Sequence, residues 1–461
     1  MYNIYSPESI ISFAKKLKNK TLRDVCGEDI EEHLYGGKGN FGQLLERFYF
    51  GYQPNSLSEP DFIEAGMELK TSPLKTLKNG RLVSKERLVL NIINYMEVYK
   101  ETFNTIFFWK KNSHPLLIFY LHEKDKDVLD YLIKLVDEWK YPEEDLKIIK
   151  HDWELIRQKI EDGKAHEISE GDTFYLGACT KGSTALKSLR EQPKSNKKAK
   201  QRAFSLKQGY VNHIIANIAS HKKGDYGRII KRPKILDDVP SIEDFVVSKF
   251  KPFYGKSVEQ IEQELGLELN SKSKSYFAQI TNAMLGLELG QRIEEFEKAD
   301  IQVKTVRLNE NNMPKEDISF PNFKYEELIE TDWEDSDFKN ILESKFFFVF
   351  YQFDNQVLYL KRVRFWNMSQ SDIGEAKKVW NTMKDLVAMG MIIKNVDKNG
   401  KRFTHFPKKR DNRISHVRPH ARNAADTYRL PVADKLTGVT EYTKHCFWLN
   451  ARYVRDEIYL K

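Results

Sequence analysis

Three charged residues in EPDFIEAGMELKTSP, residues 59–73, have types and spacing suited to metal-assisted hydrolysis. Asp61 follows a proline, Glu68 comes seven residues later, and Lys70 lies two residues beyond Glu68. Hydrolysis of a phosphodiester needs a cation that polarises the phosphoryl oxygen, and Mg²⁺ prefers hard oxygen ligands. Acid-x-lysine triplets also arise by chance in a charge-rich chain. The triplet alone therefore favours an ordinary exposed strand face with a Glu–Lys pair.

The neighbouring segments predict how these side chains are positioned. The apolar residues of FGQLLERF, 41–48, recur with helical spacing, and Glu46 lies off the apolar stripe. The later MELKT predicts a strand with Glu68 and Lys70 on one face. A carboxylate from the helix would then complete an acidic pocket that contains one lysine.

Length and composition indicate a globular protein of two domains. The chain has 461 residues, of which 40% are apolar and 31% are charged. The three cysteines are too few and too scattered for a disulfide framework or a zinc knuckle. The N-terminus does not read as a secretion leader, and no apolar run predicts a membrane span, so we expect a cytoplasmic protein.

Basic residues are clustered in two segments, 187–202 and 408–422, within a chain of net charge +8. Both segments predict surfaces that face phosphates, although each taken alone could be a solvated loop. His416 and His420 have a spacing seen in zinc sites. Pro419 and the neighbouring arginines disfavour that interpretation, and contact with DNA explains the segment better.

An internal repeat is the most informative feature of the sequence. The matched segments occur in one order in both halves: 41–48 with 277–284, 61–71 with 295–305, the Trp153 helix with the Trp380 helix, and 203–215 with 446–458. Residues rich in Gly, Pro and charge separate the halves. We therefore predict one domain over 1–220, a linker over 221–241 and a second domain over 242–461, each of the mixed α/β class.

The second copy lacks part of the polar chemistry. Gln302 replaces Glu68, Asn282 replaces Glu46 and Glu295 replaces Asp61, whereas Lys304 matches Lys70. A merely solvated face gives no reason for such selective loss. The repeat thus indicates one catalytic copy and one copy that only binds.

Long stretches of the chain resemble the MutH/Sau family of endonucleases. These stretches, which span nearly the whole chain, are SEPDFIEAGMELKTSP, SKERLVLNIINY, DWELIRQKIEDGKAHEISEG, KAKQRAFSLKQGY, EEFEKADIQVKTV and SHVRPH. The resemblance implies two tandem restriction-endonuclease-like domains of the MutH-like, PD-(D/E)xK type. Each would be a mixed β-sheet flanked by helices, with a DNA cleft.

Functional residues follow from the resemblance where the motifs match. It implies Mg²⁺ ligands at Glu46, Asp61 and Glu68, a catalytic lysine at Lys70, and a further lysine at Lys110 or Lys111. It also suggests DNA contacts, although the loop at Lys181 differs from that of MutH: Lys38, Gly39, Lys181, Arg202, Ser205, Lys207, Arg418, Pro419, His420 and Arg422.

The resemblance implies a type II restriction endonuclease that cleaves double-stranded DNA at GATC. The second domain would bind a second GATC site and stimulate cleavage. A DNA methyltransferase would act in the same system, without direct contact implied and without a membrane. The alternatives are a MutH-like mismatch-repair nicking enzyme and a non-catalytic GATC-binding protein.

Overall fold

The computed structural model describes residues 1–27, 40–54, 59–104, 107–181, 188–219 and 226–461. Within these ranges the chain forms two compact units. Unit 1 contains Met1–Ile242 and Gly290–Asp300, and unit 2 contains Glu243–Leu289 and Ile301–Lys461. No helix in the described ranges combines the length and apolarity that a membrane crossing requires.

Unit 1 is mixed α/β. Its α-helices up to residue 227 are α1 (Pro7–Lys15), α2 (Leu22–Cys26), α3 (Asn40–Leu44), α4 (Tyr95–Val98), α5 (Phe107–Asn112), α6 (Glu143–Glu161) and α7 (Gln208–Ile218). Its strands up to residue 227 are β1 (Glu68–Thr76), β2 (Leu82–Ser84), β3 (Leu88–Ile92), β4 (Pro115–Leu121), β5 (Ile133–Glu138), β6 (Leu176–Thr180), β7 (Leu189–Gln192), β8 (Ser195–Lys200), β9 (Arg202–Leu206) and β10 (Tyr226–Gly227).

Unit 2 is also mixed α/β. The helices from residue 242 onward are α8 (Ile242–Phe250), α9 (Val258–Glu264), α10 (Tyr276–Met284), α11 (Glu294–Lys298, in unit 1), α12 (Tyr325–Glu330), α13 (Asp337–Glu343), α14 (Gln370–Ala388) and α15 (Ala451–Tyr453). The strands are β11 (Arg292–Ile293, in unit 1), β12 (Gln302–Leu308), β13 (Ile318–Phe323), β14 (Phe346–Asp354), β15 (Val357–Trp366), β16 (Ile393–Val396), β17 (Arg402–Thr404), β18 (Ser415–Pro419), β19 (Thr427–Arg429), β20 (Glu441–Thr443) and β21 (His445–Leu449).

The two units contain sheets of matching order. In unit 1, β1 pairs in parallel with β4, which pairs antiparallel with β5. In unit 2, β12, β14 and β15 repeat this arrangement. A second antiparallel sheet has the order β3-β9-β6 in unit 1 and β13-β21-β18 in unit 2. Two of the matched pairs, β1 with β12 and β9 with β21, overlap segments that repeat in the sequence.

Each unit also has one long amphipathic helix, α6 and α14, of 19 residues each. The predicted helix around Trp153 is confirmed as α6, and its Trp153 side chain is fully buried. Three acidic residues in its first turn complement the helix dipole. Gly163, with φ of 73°, lets the chain leave the helix in a left-handed conformation.

The segment Gly290–Asp300 packs in unit 1, although it lies far along the second half of the sequence. Its Lys298 side chain is 3% exposed and lies 2.9 Å from Asp145 Oδ1. Tyr210 donates a hydrogen bond to the same carboxylate, and the backbone N–H of Gly209 donates to Asp300. These buried polar contacts hold the segment against α6 and α7.

Candidate active site

Asp61, Glu68 and Lys70 come together at the start of β1, which lies between β2 and β4 in its sheet. The backbone N–H of Asp61 donates to Glu68 Oε2 at 3.1 Å, and the N–H of Leu69 donates to Asp61 Oδ2 at 2.9 Å. Lys70 Nζ lies 2.7 Å from Glu68 Oε1. The two side chains thus meet on one face of the strand, as the spacing predicted.

Glu46 approaches this group from a helix. The residues after α3, Leu45–Phe50, form a π-helical turn, a feature that often marks functional sites. Burial raises the pKa of half-buried Glu46 to about 7, and repulsion from Asp61 and Glu68 adds to the shift. Glu46 therefore lies close enough to the other two carboxylates to feel their charge.

Glu68 has a similar environment. Burial raises its pKa to about 7, while the neighbouring Lys70 opposes the shift. Glu68 also lies 3.6 Å from Lys111 Nζ. The site thus concentrates negative charge in a poorly hydrated place, with two ammonium groups beside Glu68.

The donor set fits a Mg²⁺ ion. Within the described ranges no three His, Cys, Asp or Glu side chains form a ready-made metal site. Mg²⁺, however, usually takes only one or two protein carboxylates and keeps several waters or substrate phosphate oxygens. Asp61 and Glu68 supply two neighbouring carboxylates. Burial is the main cause of the raised pKa values of Glu46 and Glu68, and repulsion from neighbouring carboxylates, which a cation would offset, adds to it.

The structure distinguishes the two lysines that the sequence left open. Lys111, near the end of α5, is buried and faces Glu68, whereas Lys110 is exposed. Sequence reasoning missed Tyr52, a half-buried residue whose hydroxyl has no hydrogen-bond partner in the described ranges. Burial and the nearby carboxylates raise the Tyr52 pKa. Its only sequence signal was closeness to Glu46.

The predicted DNA contacts of unit 1 lie in different environments. Lys38 and Gly39 are outside the described residues. Lys181 is half-buried at the end of β6. The other three are buried on or next to β9: Arg202 donates to the carbonyl of Ala178, Lys207 donates to the carbonyl of Thr173, and Ser205 is fully enclosed. DNA contact by these three stays a prediction, and it would require them to become accessible.

In unit 2 the predicted contacts cluster at one end of β18. Arg418 is half-exposed, whereas Pro419, His420 and Arg422 are exposed. The guanidinium of Arg418 lies 3.7 Å from the centre of the Trp448 ring. An adjoining cleft of about 890 Å³ is lined by six cationic residues: Lys315, Lys409, Arg410, Arg413, Arg418 and Arg452. Four acidic residues also line the cleft, so it has a modest excess of positive charge, which favours phosphate binding.

The counterparts of the acidic site are dispersed. Gln302 and Lys304 lie on β12 of unit 2, and burial lowers the pKa of Lys304. Glu295 belongs to unit 1, where its carboxylate accepts the backbone N–H groups of Ile229 and Ile230 at 3.1 and 2.8 Å. Glu295 therefore has a structural use, and the second copy lacks the acidic pair found at Asp61 and Glu68.

Comparison with known proteins gives matches over all and over part of the chain. The family model described as DNA mismatch repair enzyme MutH matches residues 50–152. The type II restriction enzyme Sau3AI of Staphylococcus aureus is 38% identical over an alignment of 498 positions, gaps included, which covers 99% of each chain. The DNA mismatch repair protein MutH of Shewanella woodyi is 27% identical over 46% of this chain and 93% of its own. The DNA mismatch repair protein MutH of Vibrio parahaemolyticus is 26% identical over 42% of this chain and 84% of its own.

Proposed function

Because this chain belongs to the family of the type II restriction enzyme Sau3AI and is a restriction endonuclease, we propose that it cuts both strands of DNA at GATC by Mg²⁺-dependent hydrolysis. The observation that carries the chemistry is the convergence of Asp61, Glu68, Lys70 and Lys111 at the start of β1. We place the reaction in the cytoplasm, alongside a methyltransferase that would protect the host DNA.

Asp61 and Glu68 would hold the cation, with Glu46 contributing charge from the π-helical turn. A bound Mg²⁺ would polarise the scissile phosphate and lower the pKa of the attacking water. Lys70 and Lys111 keep Glu68 oriented through their ammonium groups, 2.7 and 3.6 Å from its Oε1. Lys70, which is partly exposed, can also offer positive charge to the phosphate as negative charge develops there.

We further propose that the chain is a tandem of two MutH-like domains and that the one in unit 2 binds DNA without cutting it. The matching sheet order of the units supports the duplication. The basic cleft next to Arg418 supports DNA binding, and the neutral Gln302 supports loss of catalysis. Occupancy of this domain would favour a cutting-competent state of unit 1, which requires different DNA affinities in the two states.

A supercoiled plasmid with one GATC site tests the function. Linear product is expected, with GATC at the sequenced ends. Persistent nicked circles would instead indicate a strand-nicking enzyme, and retardation in a gel without cleavage would indicate a binding protein. Either result would contradict the proposal.

The effector role predicts faster cleavage of a plasmid with two GATC sites than of a one-site plasmid at equal site concentration. A short GATC duplex added in trans should accelerate the one-site reaction. Arg418→Ala should reduce both effects, because an arginine fork suits the acceptor edge of guanine. Equal rates on both plasmids, unchanged by the duplex, would remove the effector role and leave the cleavage proposal standing.

Substitution of the two adjacent lysines should separate their roles. Lys111→Ala is expected to slow cleavage by about 10- to 100-fold, the usual loss when a residue that orients a metal ligand is removed. Lys110→Ala is the matched control and should cut at nearly the parent rate, because Lys110 is exposed. Single-turnover rates at saturating Mg²⁺ measure both. Equal losses in the two variants would contradict the assignment of Lys111.

Cleavage at subsaturating Mg²⁺ should increase as pH rises through about 7, the pKa of both Glu46 and Glu68 in the metal-free protein. Protons on these carboxylates compete with the cation, so Mg²⁺ affinity falls as pH falls below that value. The midpoint of the pH profile should move to lower pH as Mg²⁺ concentration is raised. A midpoint that does not depend on Mg²⁺ would contradict this competition.

A further inference from the structure

The basic cleft of unit 2 contains a buried acid. Four acidic residues line this cleft, and the side chain of Asp317 is 2% exposed, whereas those of Glu316, Asp456 and Glu457 are 67%, 40% and 28% exposed. A negative charge at a surface that binds phosphates lowers affinity by repulsion. Its retention there calls for a compensating contribution.

The contacts of Asp317 indicate what that contribution is. Its Oδ2 lies 2.6 Å from Lys409 Nζ and 3.2 Å from Arg418 Nη1. Its Oδ1 accepts the backbone N–H of Ala451 at 2.9 Å, which fixes the carboxylate at the start of α15. His416 Nε2 lies 3.9 Å from Oδ2. One rigidly held carboxylate therefore orients two cations that line the cleft.

Arg418 is held from two directions. Asp317 binds one edge of the guanidinium, and the Trp448 ring lies under its face at 3.7 Å from the ring centre. The Arg418 side chain is nevertheless 42% exposed, so part of it remains accessible from the cleft. An arginine fixed in this way loses less conformational entropy when it binds a base edge or a phosphate.

Unit 1 has an ion pair of reversed polarity at the matching place. Leu206 of β9 and Leu449 of β21 are equivalent positions of the repeat, and they pair with the first residues of β3 and β13. Arg87 and Asp317 come immediately before those first residues. Arg87 Nη1 lies 2.6 Å from Glu170, which is six residues before β6, as Lys409 is six residues before β18. In both units the carboxylate is the more buried partner. Both units therefore have a buried acid in this ion pair. In unit 2 the acid, Asp317, precedes β13, whereas in unit 1 the acid, Glu170, precedes β6 and the position before β3 holds the cation Arg87.

We propose that Asp317 is a positioning residue, which holds Arg418 and Lys409 in the orientation that recognises GATC in unit 2. This inference rests on the proposed DNA-binding role of unit 2. It goes beyond that role because it names an acidic residue, in addition to the basic residues of the cleft, as a determinant of sequence specificity. The alternative is that Asp317 only reduces the positive charge of the cleft.

Removal of the charge separates these two roles, because they predict opposite signs. Asp317→Asn keeps the shape and can still accept the Ala451 N–H. If Asp317 positions Arg418, preference for GATC falls by about 10-fold, within the range for loss of a well-placed arginine contact to a base. If it only reduces charge, affinity for every DNA rises equally. Glu316→Gln is the matched control, since it removes one exposed charge from the same cleft.

The measurement uses the full chain in EDTA, with duplexes that carry 5-iodouracil in GATC or in a scrambled site. Crosslinked peptides identified by mass spectrometry report occupancy of unit 2 separately from unit 1. We expect Asp317→Asn to lose GATC-specific crosslinks in unit 2 while scrambled crosslinks are unchanged or increase. Arg418→Lys should give a similar loss, and the double variant should lose little more.

Three outcomes would overturn the inference. The first is an equal increase in unit 2 crosslinking to the GATC and the scrambled duplex in both Asp317→Asn and Glu316→Gln, which would leave DNA binding by unit 2 intact. Additive losses in Asp317→Asn and Arg418→Lys would show that the two residues act separately. Absence of GATC-preferring crosslinks to unit 2 in the parent protein would overturn the binding role itself, and the inference with it.

Discussion

Glu68→Gln is expected to abolish DNA cleavage while DNA binding persists. Glutamine has nearly the same shape, and its oxygen can still accept the N–H of Asp61, so the fold around β1 should survive. It lacks the negative charge that would hold Mg²⁺ and that pairs with Lys70 and Lys111. We expect the cleavage rate to fall by at least about 10²- to 10³-fold, the loss usual when one group that stabilises charge in an active site is removed.

Single-turnover cleavage of a GATC duplex at several Mg²⁺ concentrations measures this loss. Asp61→Asn should behave similarly, because its carboxylate adjoins that of Glu68. Glu64→Gln is the matched control: Glu64 is exposed between the two acids in sequence and should tolerate the change. Gel retardation in EDTA should give similar DNA affinity for all three variants. Cleavage by Glu68→Gln at the Glu64→Gln rate would refute the proposed site.

Local sequence patterns predicted much of this site because several of its contacts join residues that are close together in the chain. Glu68 and Lys70 meet because alternate residues share a strand face. The apolar run at 114–121 has the pattern of a central strand, and it forms β4. The apolar run at 87–98 also favours a strand throughout, but only β3 forms, and α4 follows it. Asn94 ends the extended stretch by capping α4, accepting the backbone N–H of Met96.

Long-range pairings were beyond sequence reasoning. Adjacent lysines have the same chemistry, and only the end of α5 determines that Lys111 is buried and Lys110 exposed. The sequence pattern places Lys298 only in the second copy of the repeat, yet Lys298 pairs with Asp145, 153 residues earlier. No periodicity within a segment encodes such a contact. It follows from how α6 and α11 pack together.

Lys298→Met is expected to destabilise unit 1 strongly. The lysine is 3% exposed and pairs with Asp145 at 2.9 Å and with Glu294 at 2.9 Å. Methionine fills similar volume but leaves Asp145 buried with only the Tyr210 hydroxyl as its remaining described partner. Breaking one side of a buried ion pair usually costs about 3–5 kcal/mol, because an uncompensated charge stays inside. Urea unfolding followed by near-UV circular dichroism measures the loss.

The loss should depend on pH with a defined sign. Burial already raises the pKa of Asp145, and removal of Lys298 would raise it further. A carboxyl group with a raised folded-state pKa binds its proton more tightly in the folded protein, so its destabilising effect grows as pH rises above the unfolded-state value. The difference between parent and variant should therefore be larger at pH 8 than at pH 5.

Two further variants make the prediction specific. Lys140→Met is the matched control because its side chain is 74% exposed, and it should change the free energy of unfolding by no more than about 0.5 kcal/mol. Adding Asp145→Asn to Lys298→Met removes the unpaired charge and should recover part of the lost stability, more at pH 8 than at pH 5. A loss equal to that of Lys140→Met would show that the Asp145–Lys298 pair contributes no net stability, and that α11 is held to unit 1 by its other contacts.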